Sequence, residues 1–120
     1  LVASATEDAR INATLNGVGN LEIVNAKVEE YLVTAMENKI KANTLIIDPP
    51  RDGMHPDALE TIAKFAASEI IYVSCNPATL TRDLEYLLRN TPYTLTDITP
   101  VDMFAHTHHI ECVVRLELKK

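Results

Sequence analysis

Residues 44–77 read TLIIDPPRDGMHPDALETIAKFAASEIIYVSCNP. Thr44 to Ile47 is a continuous apolar run ended by Asp48-Pro49-Pro50, and Leu59, Ile62, Ala63 and Ala66 behind it fall at helical spacing. Ile70-Ile71-Tyr72-Val73-Ser74 is a second strand-like run, followed by Asn76-Pro77, where Asn can cap a helix and Pro can occupy its first turn. Strand, helix and strand in this order make a βαβ unit. Its strands do not alternate apolar with polar residues, which predicts a parallel pair covered on both faces.

Downstream, Leu80, Leu84, Leu87 and Leu88 supply the buried face of the helix that Asn76-Pro77 opens. Upstream, Leu21 to Val24 reads as a short strand, with Val28, Tyr31, Leu32 and Ala35 at helical spacing after it. An earlier helix is predicted from Glu7 to the Asn16-Gly17 ending. At the other end, Tyr93 to Pro100 and Ile110 to Leu118 are strand-like with only a loop between them, so this last pair is predicted antiparallel. The sum is an α/β fold in one domain: a mostly parallel sheet with an antiparallel C-terminal pair.

The composition is that of a globular domain: 120 residues, 47% hydrophobic and 23% charged. A net charge of -6 and a pI near 5.1 argue against a broad phosphate-binding surface, because nonspecific nucleic-acid affinity comes from Lys and Arg. No run of about 18 apolar residues is present, and the chain does not open like a signal peptide, so a cytoplasmic protein without a membrane anchor is expected. Cys75 and Cys112 are too few for a disulfide framework and belong to no CxxC pair.

In open α/β sheets, ligands gather outside the carboxyl ends of the strands. Asp48-Pro49-Pro50-Arg51-Asp52-Gly53 lies at such an end. Its prolines hold the chain extended and leave the Asp48 carboxylate available to a ligand, with a plain strand-ending turn as the competing reading. Ser74-Cys75-Asn76-Pro77 lies at another. There the positive end of a helix dipole favours thiolate, the reacting species, and the competing reading is a small buried hydrophobe. A third stretch, Val101 to Cys112, is a loop with three histidines that enters the last strand. Glu111 and Cys112 are neighbours in a strand and should face opposite ways, so no compact metal-ligand set results and no metal is assigned.

Together, Asp48-Pro-Pro-Arg-Asp-Gly53, Tyr72-Val-Ser-Cys-Asn-Pro-Ala-Thr-Leu-Thr-Arg-Asp83 and the stretch from Pro100 to Val114 resemble the RNA 5-methyluridine methyltransferases, over nearly the whole chain and in the same order. The resemblance implies a partial Rossmann-like fold of the type that uses S-adenosylmethionine, and an RNA substrate, ribosomal or transfer. It implies Cys75 as the nucleophile that adds to uracil C6, and Glu111 as the base that removes the C5 proton. Asp48, Asn25 and Ala26 fall at cofactor positions, Asn25 where the family often has Asp. Asp48, Arg51, Asn76, Pro77 and His109 fall in the substrate pocket.

The same resemblance places the glycine-rich cofactor loop and an N-terminal RNA-binding module upstream of Leu1, so residues 1–120 are read as the C-terminal portion of one catalytic domain that is inactive alone. In the family's sheet two strands lie between the segment at Leu21 and that at Leu45. Residues 1–40 are therefore predicted to be loosely docked or differently packed. Ala105 stands where proline is usual. Two rival readings are a cytosine-C5 methyltransferase, which also uses a thiol adduct, and a noncatalytic fragment that binds RNA or a protein.

Overall fold

Eight elements follow one another in the computed structural model, which describes residues 2–119: α1 (Ala3–Leu15), α2 (Val28–Glu37), β1 (Thr44–Ile47), α3 (Pro56–Phe65), β2 (Glu69–Ser74), α4 (Pro77–Asn90), β3 (Tyr93–Val101) and β4 (Glu111–Leu118). The helix starts follow their caps. His55 accepts from the Asp57 N–H ahead of Pro56, and Asn76 accepts from the Ala78 N–H ahead of Pro77.

The four strands form one sheet in the order β1-β2-β4-β3. β1 and β2 are parallel, as the crossover through α3 requires, while β4 runs against both of its neighbours. Three of the four strands therefore point the same way, and the C-terminal pair is antiparallel. The β3–β4 register shifts between Leu95 and Asp97, so Ile98 and Pro100 sit opposite Val114 and Cys112.

One face of the sheet carries the core. Ile47, Ile70, Tyr72, Val114 and Leu116 cluster with Leu32 of α2, Leu59 and Ile62 of α3, and Leu80 and Leu87 of α4. Alternation along the strands sends Ile46, Ile71, Val73 and Val113 to the other face, where Ile46 is 69% exposed. The expectation of a sheet covered on both faces is corrected here. All three packed helices lie on one side, because strand-like apolar runs report burial potential and not which elements supply the cover.

Leu21 to Val24, predicted as a strand, has no regular secondary structure and lies outside the sheet. β1 is an edge strand, but a cavity separates this segment from it, so no ladder forms. From Val2 to Lys27 no residue is buried, whereas Leu32 and Ala35 of α2 are 3% and 2% exposed. Burial is thus in keeping with loose docking as far as Lys27, and the expectation is corrected from α2 onward, where Leu32 and Ala35 enter the core. The surface agrees: 8229 Å² is accessible, against about 6450 Å² for a compact monomer of this mass.

Candidate active site

The β2–β4 ladder runs from Glu69↔Glu117 to Ser74↔Cys112. Cys75 follows the last β2 residue of this ladder and Glu111 precedes its β4 partner, so the two flank the Ser74–Cys112 pair where β2 leaves the sheet. Ser74 and Cys112 lie on the core side, where burial pushes the Cys112 thiol up. Cys75 and Glu111 are each half-buried, so neither is sealed in the interior. Cys75 sits one residue before the Asn76 cap of α4, at the positive end of that helix.

The turn after β1 is brought against the start of α4. The Gly53 N–H donates to the Pro50 carbonyl, closing a tight turn, and Gly53 has φ +77. The Arg51 carbonyl accepts from Asn76 Nδ2 and Thr79 Oγ1, both at 3.1 Å. The Arg51 guanidinium reaches the other way, its Nη1 lying 3.4 Å from Nδ1 of His109. Arg51 is thus tied to Asn76, the residue after Cys75, and to His109, and Pro77 is exposed at the first position of α4.

A cavity of about 680 Å³ opens beside β1. Asp48 and Ala26 line it, with Glu22, Val24, Pro49 and Tyr31 among their neighbours. It lies between the unpaired Glu22–Val24 segment and the Leu45–Ile47 edge of β1. Asn25 is exposed and does not line it, and neither do Cys75, Arg51, Asn76, Pro77, His109 or Glu111. The residues assigned from sequence thus divide into a nucleophile-and-carboxylate end and a cavity end joined by the 48–54 turn.

Sequence reasoning missed the groups that hold this turn. Asp83 is fully buried, and its Oδ2 accepts from the Tyr72 hydroxyl at 2.6 Å and the Met54 N–H at 2.7 Å. The signal was present: Asp83 falls on the apolar stripe of α4, between Leu80 and Leu87, where an ionisable side chain needs dedicated partners. The histidine loop offers no metal set; among the described residues, no three His, Cys, Asp or Glu side chains group to hold an ion.

The model of the family described as tRNA (uracil-5-)-methyltransferase matches residues 1–119. The chain belongs to this family. Among curated relatives, an uncharacterized RNA methyltransferase of Fusobacterium nucleatum is 41% identical over 119 residues, covering 99% of the chain and 25% of the relative. Another, from Caldanaerobacter subterraneus, is also 41% identical and covers 97% and 25%. The family member thus spans about a quarter of the length of these relatives. Among solved structures, the Pyrococcus abyssi tRNA (uracil-54, C5)-methyltransferase in complex with S-adenosyl-L-homocysteine is 35% identical. Its TM-score is 0.78, with 96% of this chain and 26% of that one covered. The M1.HpyAVI–SAM complex, at 15% identity and TM-score 0.65 over 82% of this chain and 54% of that one, shares the fold. The α/β architecture is that of the SAM-dependent methyltransferases. No helix of the described residues is long and apolar enough to cross a membrane.

Proposed function

We propose that residues 1–120 form the C-terminal part of a catalytic domain that methylates C5 of uridine in transfer or ribosomal RNA, through a transient bond from Cys75 to C6. The observation that carries this reading is the β2–β4 register, which ends at Ser74↔Cys112 and leaves Cys75 and Glu111 flanking that pair at the carboxyl end of β2. Family membership and the coverage of 26% of the Pyrococcus abyssi enzyme support it.

The cavity suits S-adenosylmethionine in chemistry. Asp48, Glu22 and Glu29 offer carboxylates to a cationic ligand, and Val24, Ala26 and Pro49 offer apolar wall. Asp48 and Ala26 would hold the cofactor, with Asn25 beside them; bound there, it supplies an electrophilic methyl carried on a sulfonium. The glycine-rich loop expected to complete the cofactor site is not among these 120 residues, and on this reading the isolated chain binds cofactor weakly and does not turn over.

The chain's own residues carry the covalent steps. Uracil C5 is a poor nucleophile, so the Cys75 thiolate first forms a bond to C6, and the C5=C6 electron pair shifts toward C5 and the O4 carbonyl. Once C5 bears the methyl group, Glu111 takes the C5 proton. The released pair restores C5=C6 as the sulfur–C6 bond breaks, and Cys75 leaves as thiolate. Arg51, Asn76, Pro77 and His109 border the uracil, which must be unstacked from its neighbours to reach the thiol.

The test is transfer of labelled methyl to uridine- and cytidine-containing RNA by the enzyme that contains this chain. Label is expected at uridine C5 and is lost in Cys75→Ser. Label on cytidine would indicate a cytosine-C5 enzyme; no label from folded, cofactor-bound protein would leave a noncatalytic RNA- or protein-binding role.

A further inference from the structure

Asp83 is the one buried carboxylate among the described residues, and the proposed chemistry gives it no part. Its four hydrogen bonds have a single theme. Oδ2 accepts from the Met54 N–H and the Tyr72 hydroxyl, while Oδ1 accepts from Nε and Nη2 of Arg82 at 2.9 and 2.8 Å. The same Arg82 Nη2 donates to the Asp52 and Met54 carbonyls. With Asn76 and Thr79 on the Arg51 carbonyl, the first two turns of α4 hold Arg51, Asp52 and Met54 by their backbone polar groups.

The fit leaves no slack. A Cβ placed on Gly53 would stand 2.6 Å from Arg82 Nη2, 2.8 Å from Asp83 Oδ2 and 3.0 Å from Thr79 Cβ. The turn is therefore pressed onto the helix as well as bonded to it. A buried carboxylate needs every acceptor position answered, and here the answers come from β2 through Tyr72, from the turn through Met54, and from α4 through Arg82. The three segments that bear Asp48 and Arg51, Cys75, and the Asn76 cap meet at one side chain.

We propose that Asp83 is a positioning residue: with Tyr72 and Arg82 it locks the 50–54 turn to the start of α4 and so fixes Asp48 and Arg51 relative to the Cys75 thiol. This deepens the uridine methylation reading and rests on it for the meaning of those three side chains. Asp83 touches neither substrate nor cofactor. It acts through the turn and through the strand end that carries Cys75.

The test compares Asp83→Asn and the milder Tyr72→Phe with Leu116→Ala, a core variant at the far end of the β2–β4 ladder, all well below their melting temperatures. Two readouts need no RNA: amide exchange at Met54, and the iodoacetamide alkylation rate of Cys75, with Cys112 followed separately by mass spectrometry. In both clamp variants Met54 exchange should rise at least about tenfold relative to Leu87, and the Cys75 rate should change at least about threefold. Leu116→Ala should leave both unchanged. In the enzyme that contains this chain, the clamp variants should lower kcat for methyl transfer about tenfold or more while KM for RNA stays within about twofold. A loosened Met54 amide with an unchanged Cys75 rate would overturn the proposal, because Asp83 would then be structural only. An unchanged Met54 amide in either folded variant would overturn it as well. Absence of methyl transfer by the parent enzyme would count against uridine methylation, and the alkylation and exchange arms would still decide the role of Asp83.

Discussion

Tyr72 and Tyr93 are the two buried tyrosines, 0% and 3% exposed, and both donate their hydroxyl inside the protein: Tyr72 to Asp83, Tyr93 to the Ala67 carbonyl at 2.6 Å. Burial pushes the Tyr93 hydroxyl up to about 12, and burial together with the Asp83 carboxylate pushes Tyr72 up as well. In the unfolded chain a tyrosine ionises near about 10. Both folded values are raised, so their contribution to stability is complete below about pH 10 and is lost as pH rises toward the folded values. Each such group removes on the order of 1 kcal/mol per pH unit in that window, and the two act together. Between pH 10 and 12 the loss is on the order of 4 kcal/mol, a large share of the stability of a modest domain. Urea unfolding followed by circular dichroism from pH 8 to 11.5 checks this. Tyr93→Phe and Tyr72→Phe should each flatten the alkaline decline by about half, and the double variant should nearly remove the difference. Equal slopes in parent and variants would refute the assignment of alkaline instability to these two hydroxyls.

Three further outcomes are expected. Gly53→Ala, at φ +77 and with its new Cβ against Arg82 and Asp83, should cost about 2 kcal/mol or more and lower Tm by about 8 °C, measured by calorimetry; an unchanged Tm would show that the turn yields. Glu111→Gln should let the Cys75 adduct form on ordinary uridine RNA but not resolve, leaving a protein–RNA band that survives denaturing electrophoresis and turnover at least about 100-fold slower; full turnover would remove Glu111 as the base. Amides of Leu21 to Val24 should exchange far faster than those of Ile70 to Ser74 in the isolated chain, and equal protection would mean that the early segment pairs after all.

What was legible in the sequence was local. β1 begins and ends where its apolar run does, and α4 starts where Asn76-Pro77 places it, because strand runs and caps are written in neighbouring residues. Longer-range features were not. Nothing near Ile110 says that β4 inserts between β2 and β3, since strand order depends on pairing between distant segments. Leu21 to Val24 has strand composition but lies across a cavity from the β1 edge, so composition misled there. The uncovered sheet face that exposes Ile46 was likewise invisible to pattern reading. At the site, Cys75 and Glu111 were marked by resemblance, and their places beside the Ser74–Cys112 pair follow from a register only the structure supplies. Asp83 was legible in principle, as a carboxylate on an apolar helix stripe.

The most direct measurement is a covalent trap. The enzyme that contains this chain is incubated with S-adenosylmethionine and an RNA bearing 5-fluorouridine, whose fluorine cannot leave as a proton does, and the digest is mapped by mass spectrometry. A modified nucleotide attached to Cys75, and lost in Cys75→Ser, is the result expected. A folded, cofactor-bound protein that methylates uridine yet leaves Cys75 unmodified would contradict the central claim.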